Sequence, residues 1–158
     1  MNKKFRPSIL KLWNSFILEN PKYKNAPIPK FYYFCDNEKD ANDCAQLVVD
    51  GVKRATSTSL WWFETYKQPL PKIGDLAIVT NWKGMAKAVI ETTKIEKTPF
   101  NKINAEYAEI EGEGDKSLAY WNKVHWEYYK REMNEQGEKP TKDMLLVCEL
   151  FKTVYIKK

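Results

Sequence analysis

Three stretches of this chain place proton-carrying side chains at spacings that could do chemistry. Glu111-Gly112-Glu113-Gly114-Asp115 alternates three carboxylates with two of the chain's six glycines. Crowded carboxylates raise one another's cost of ionising unless a cation or a hydrogen-bond donor sits among them. Glycine permits positive φ and close approach of other groups. The stretch therefore has to face something: a lysine, a metal or the polar edge of a substrate. A solvated turn ahead of a helix accounts for the same pattern without chemistry. Lys53 and Thr56 lie three residues apart, just after Gly51. A desolvated lysine loses its charge more readily and can act as a base, and a hydroxyl beside it is an activated nucleophile. Alone, Lys-x-x-Thr is a common pairing, and a surface lysine near a strand threonine is the plainer account. His125 shares a helical face with Leu118, Trp121 and Tyr128. Its ordinary role there is a hydrogen-bonded histidine in a core or groove. It follows Asp115 by roughly 15 Å along a helix axis, which weakens a direct partnership with Asp115, although Glu111 could fold back towards it.

Other ligand sets are poorly served. Hard cations take clustered carboxylate oxygens, but the spacing is not an EF-hand, and one histidine cannot supply a two-histidine, one-carboxylate site. The expectation is no metal and no cofactor. Cys35, Cys44 and Cys148 are odd in number and widely spaced, which fits reduced thiols better than a disulfide framework or a structural zinc. Lys53, Arg54, Lys83 and Lys87, with Trp61, Trp62 and Trp82 nearby in sequence, could form a basic, ring-bearing surface for single-stranded nucleic acid.

These groups need a scaffold to position them. At 158 residues, 43% hydrophobic and 30% charged, the chain fits one folded domain with a real core. The net charge of +5 permits an anionic partner without demanding one. Glu106, Glu109, Glu111, Glu113 and Asp115 form a local acidic cluster, which suggests internal pairing or a site. Lys3, Lys4 and Arg6 resemble the start of a signal peptide, but Lys11 and Asn14 interrupt the segment behind them. No apolar run is long enough to cross a membrane, so a cytoplasmic protein is expected. A helix spans about 8–20, with Ser8 as its cap and Pro21 as its stop. Strand 31–35, helix 38–50 with Gly51 at its end, and a strand from 52 follow. A short helix covers about 60–63. Strands 76–80 and 86–90 flank Asn81-Trp82-Lys83-Gly84, with 92–98 continuing the second. Residues 101–110 read as helix, Asp115 as the cap of a helix to about 135, and 144–155 as the last strand. Without a β-α-β rhythm, this points to α+β or a small barrel carrying helices.

Taken together, Gly51-Val52-Lys53-Arg54-Ala55-Thr56, Leu70-Pro71-Lys72-Ile73-Gly74-Asp75, Ala108-Glu109-Ile110-Glu111-Gly112-Glu113-Gly114-Asp115 and Trp121-Asn122-Lys123-Val124-His125 resemble the ASCH domain family, in order and in spacing. The resemblance covers roughly 31–155 within a single domain of 1–158. It implies an α+β, PUA-like fold: a small, mostly antiparallel β-barrel with helices packed around a cleft. It also implies work on RNA or nucleosides. Some small family members are amidohydrolases that remove the acetyl group of N4-acetylcytidine with a Lys, a Thr and a Glu, and others are ribonucleases, so the alternative implied is a module that binds or cleaves single-stranded RNA. Their residues fall on Lys53 as base, Thr56 as nucleophile and Glu111 as proton shuttle. Arg54, Ser57, Glu113, Trp121 and His125 are then the candidates for substrate contact. The expected partner is a nucleoside or single-stranded RNA. Those small enzymes lack the glycine-acid extension and the full Trp-x-x-x-His helix present here.

Overall fold

The computed structural model describes residues 6–158, so Lys3 and Lys4 lie outside the described residues. The described chain runs α1 (Pro7–Glu19), β1 (Lys30–Tyr32), α2 (Glu38–Val49), β2 (Ala55–Ser59), α3 (Leu60–Thr65), β3 (Leu76–Thr80), β4 (Ala86–Pro99), α4 (Ala105–Glu111), α5 (Leu118–Asn134) and β5 (Leu145–Ile156). All five strands form one sheet in the order β1-β3-β4-β5-β2. β1 pairs parallel with β3, while β3–β4 and β2–β5 are antiparallel. The expected α+β class therefore forms, with one parallel pair in a mostly antiparallel sheet. No helix among the described residues is long and apolar enough to cross a membrane.

The local signals explain most element ends. Pro7 opens α1, where its missing N–H costs nothing. Ser8 does not cap that helix; its hydroxyl instead accepts the Ala86 N–H at 3.1 Å. Asn37 caps α2 by accepting the Asp40 N–H at 2.9 Å, and Gly51 leaves the helix at φ +72°. Residues 92–98 continue β4 as one 14-residue strand. The expected helix over 101–110 is instead a 3-10 turn, Phe100–Lys102, followed by the short α4. Asp115 does not cap α5: Ser117 does, accepting the Tyr120 N–H at 3.0 Å, while Asp115 accepts the Ser117 N–H at 2.8 Å.

Contacts divide the chain into two compact units. One comprises Met1–Gly51, Asp75–Glu91 and Lys152–Lys158, and the other Val52–Gly74 and Thr92–Phe151. The first is built on Ile9, Leu12, Trp13 and Phe16 of α1 with Ile78, Ala86 and Val89. The second gathers Phe100, Ile103, Ala108, Trp121, Tyr129, Leu146 and Cys148. Lys53, Glu111 and His125 all belong to the second unit.

Candidate functional site

β2 is an edge strand whose alternation decides what the site contains. Ala55, Ser57 and Ser59 are buried, while Thr56 and Thr58 are half-buried. Successive strand side chains point to opposite faces, and cross-strand partners share a face. Ser57 is paired with Cys148, and Thr56 with Glu149. Ser57 and Cys148 both lie against Tyr107. Glu149, on the other face, accepts a hydrogen bond from Thr92 at 2.5 Å. Carbonyls of the edge strand are taken by side chains rather than by another strand: Lys53 Nζ donates to Ala55 O at 2.7 Å and the Tyr129 hydroxyl to Ser57 O at 2.7 Å.

Glu111 ends α4, and the two glycines after it shape the turn. Gly112 sits at φ +74°, and a Cβ there would lie 2.7 Å from the Val52 carbonyl oxygen. Only glycine lets the end of α4 lie against the segment that carries Lys53. Gly114, at φ +57°, would drive a Cβ to 2.4 Å from the Tyr120 ring. The backbone N–H of Arg54 donates to Ile110 O at 2.9 Å and closes the same junction, while Arg54 itself is exposed.

Four charged side chains meet in this unit. Lys53 is 1% exposed, and its ammonium lies 2.8 Å from Glu113 Oε1. Glu111, also 1% exposed, receives the Ser57 hydroxyl at 3.0 Å, the Trp121 indole N–H, and His125 Nε2 at 2.8 Å. His125 Nδ1 lies 2.9 Å from the Trp121 carbonyl oxygen. With Glu111 ionised, both ring nitrogens face acceptors, an arrangement that favours the doubly protonated imidazolium. The ring stacks on Trp121 with centroids 4.1 Å apart. Burial alone would lower the His125 pKa, but the charge and hydrogen bond of Glu111, with the charge of Glu113, raise it above the ordinary 6.5. Burial likewise pushes Glu111 up; the charges of His125 and Lys53, with hydrogen bonds from His125 and Ser57, reverse this and hold it at about 2. Two cations thus balance two carboxylates, which is how buried charge is tolerated. Burial, then the Glu111 charge, keeps the Tyr107 and Tyr129 phenols protonated as donors.

The sequence-derived candidates separate accordingly. Lys53, Ser57, Glu111, Glu113, Trp121 and His125 come together. Thr56 contributes its backbone carbonyl, which accepts from the Tyr107 hydroxyl at 3.0 Å, while its side chain lies on the face opposite Ser57. Asp115 is exposed and serves only the turn. The direct partner of Lys53 is Glu113. The stripe of α5 that faces the site is Trp121, His125 and Tyr129, at four-residue steps, rather than the face ending at Tyr128. Tyr107 was missed, although it lies four residues before Glu111 and so on the same helical face. Ligand atoms of Glu111, Glu113 and His125 fall within 4.8 Å of one another. A metal there would compete with a proton at His125 Nε2 and with the Lys53 ammonium for the same donor atoms.

A curled, mostly antiparallel five-stranded sheet with its helices makes this a PUA-like α+β domain, a fold of the RNA-binding type. The ASCH domain family model matches residues 30–155, and the chain belongs to that family. The ASCH domain from Lactobacillus crispatus JV V101 is 34% identical over 98% of each chain, with a TM-score of 0.89. Protein EF3133 from Enterococcus faecalis V583 is 32% identical over 94% of this chain and 89% of its own, with a TM-score of 0.85. No curated protein matches.

Proposed function

We propose that this chain is an amidohydrolase acting on an acylated nucleoside such as N4-acetylcytidine. The observation that carries the reading is a lysine only 1% exposed whose ammonium touches a carboxylate at 2.8 Å at the edge of β2. Two neighbouring carboxylates favour the ammonium form. Lys53 becomes a base when its proton passes to Glu113, which at 13% side-chain exposure is the more open of the two carboxylates. Lys53 then accepts the proton of a β2 hydroxyl as that oxygen attacks the acyl carbon. The proton held by Glu113 goes to the departing exocyclic amine, and water then cleaves the acyl ester left on the hydroxyl, releasing acetate and restoring the hydroxyl. Glu111 stays ionised against His125 and sets the field at Lys53, so the shuttle passes from Glu111 to its neighbour.

Thr56 supplies the hydroxyl in this scheme. The hydrogen bond from Lys53 Nζ to the carbonyl of Ala55, the residue before Thr56, supports this assignment. Ser57 is engaged by Glu111 and Tyr107 and positions the carboxylate. Release of cytidine and acetate from N4-acetylcytidine tests the reading. Thr56→Ala and Lys53→Ala are each expected to abolish it, and full activity in either sinks the scheme. Loss in Ser57→Ala with Thr56→Ala active moves the nucleophile to the Glu111 face.

A second reading, RNA binding, is supported by α3, which carries Trp61, Trp62 and Phe63 with no buried residue. Half-exposed rings at an edge strand can stack bases. Affinity for single-stranded RNA that falls steeply with salt, without hydrolysis of the nucleoside, favours this reading.

A further inference from the structure

We propose that Cys35 and Cys44 form a redox modification site, a thiol pair that closes reversibly to a disulfide. Both belong to the first unit. Their sulfurs are 3.7 Å apart. A disulfide needs about 2.0 Å, so modest side-chain movement is enough. Cys35 is partly exposed, whereas Cys44 is 3% exposed on α2. Cys35 adopts φ +67°, a left-handed conformation that side chains other than glycine rarely take. It stands in the bend between β1 and α2, where the chain turns back onto the helix. The start of that helix is pinned by Asn37, which accepts the Asp40 N–H at 2.9 Å and donates to Asp40 Oδ2 at 2.8 Å. The two sulfurs are therefore held together by structure already present.

The unequal exposure assigns the roles. The Cys35 thiolate attacks the outer oxygen of a hydroperoxide, breaking the O–O bond and releasing an alcohol or water. The resulting sulfenic acid is attacked by the Cys44 sulfur, forming the S–S bond and expelling water. Two thiols and one hydroperoxide give one disulfide, one alcohol and one water. A dithiol reductant reverses the change by exchange.

Hydrogen peroxide titrated onto the intact protein tests this, with trypsin digestion and mass spectrometry as the readout. Lys39 lies between the two cysteines, so an internal disulfide joins two peptides, residues 31–39 and 40–53. The expected result is that linked pair, with the intact protein lighter by two hydrogens. Cys148 should stay reduced and be alkylated only after unfolding, because it is 2% exposed. Cys35→Ser should abolish the linked peptides and leave Cys44 a thiol. Over-oxidation of Cys35 with Cys44 still reduced, a Cys35-linked dimer, or no reaction at peroxide levels that oxidise a reference dithiol would each overturn the proposal.

Discussion

The cores of the two units are made of different materials. Under α1, Ile9, Leu12, Trp13 and Phe16 meet Ile78, Ala86 and Val89, and no charged side chain belongs to that cluster. In the second unit an aromatic cluster of Phe100, Trp121 and Tyr129 adjoins Lys53 and Glu111, each 1% exposed. An apolar core is governed by volume and tolerates substitutions that conserve it. A buried charge cluster is governed by completeness, because removing one member leaves its partners uncompensated. The difference teaches where function was placed: the unit with the costlier interior is the one holding the candidate reactive groups.

The contrast can be broken in graded ways. The largest effect is expected from Glu111→Leu, which strands the His125 imidazolium and loosens Lys53. About 3–5 kcal/mol of stability should be lost by denaturant titration. Loss of less than about 1 kcal/mol would mean the charges are not mutually dependent. Gly112→Ala should cost about 1–3 kcal/mol, because it forces a side chain into a left-handed conformation against the Val52 carbonyl. A cost no greater than Gly51→Ala, where an added Cβ meets nothing within 4 Å, would remove the close-approach argument. Ile9→Val, in the apolar core, should cost only about 0.5–1.5 kcal/mol and leave nucleoside hydrolysis unchanged.

The pH profile separates the cores by shape rather than size. The folded-state pKa of His125 is raised, so its contribution is complete below 6.5 and is lost as pH rises through the higher folded value. Glu111 is lowered to about 2 from 4.5, so its contribution is present above 4.5 and lost as pH falls towards 2. Thermal unfolding across pH should therefore show the cluster contributing most between those limits. Ile9→Val should lower that curve without changing its shape, whereas His125→Gln should flatten its alkaline limb.

Much of this was legible in the residues. Apolar spacing and turn residues located the helices, and Glu-Gly-Glu-Gly-Asp with Trp-x-x-x-His marked the stretch where α4 meets α5. What escaped was set by distant partners. Whether Thr56 or Ser57 faces Glu111 depends on the pairing of β2 with β5, and no local signal fixes that phase. Asp115 and Ser117 are both good caps, and the chain chose between them by the turn through Gly114 and Lys116, both at positive φ. Glu113 found Lys53 across 60 residues of sequence, which only the folded chain could reveal.

His125 is the chain's one histidine, so nitrogen-15 NMR reads its ring without ambiguity. Both ring nitrogens should be protonated at neutral pH, with the proton at Nε2 exchanging slowly and lost in Glu111→Gln. A neutral ring with one bare nitrogen at neutral pH would contradict the buried, compensated centre on which the proposed chemistry rests.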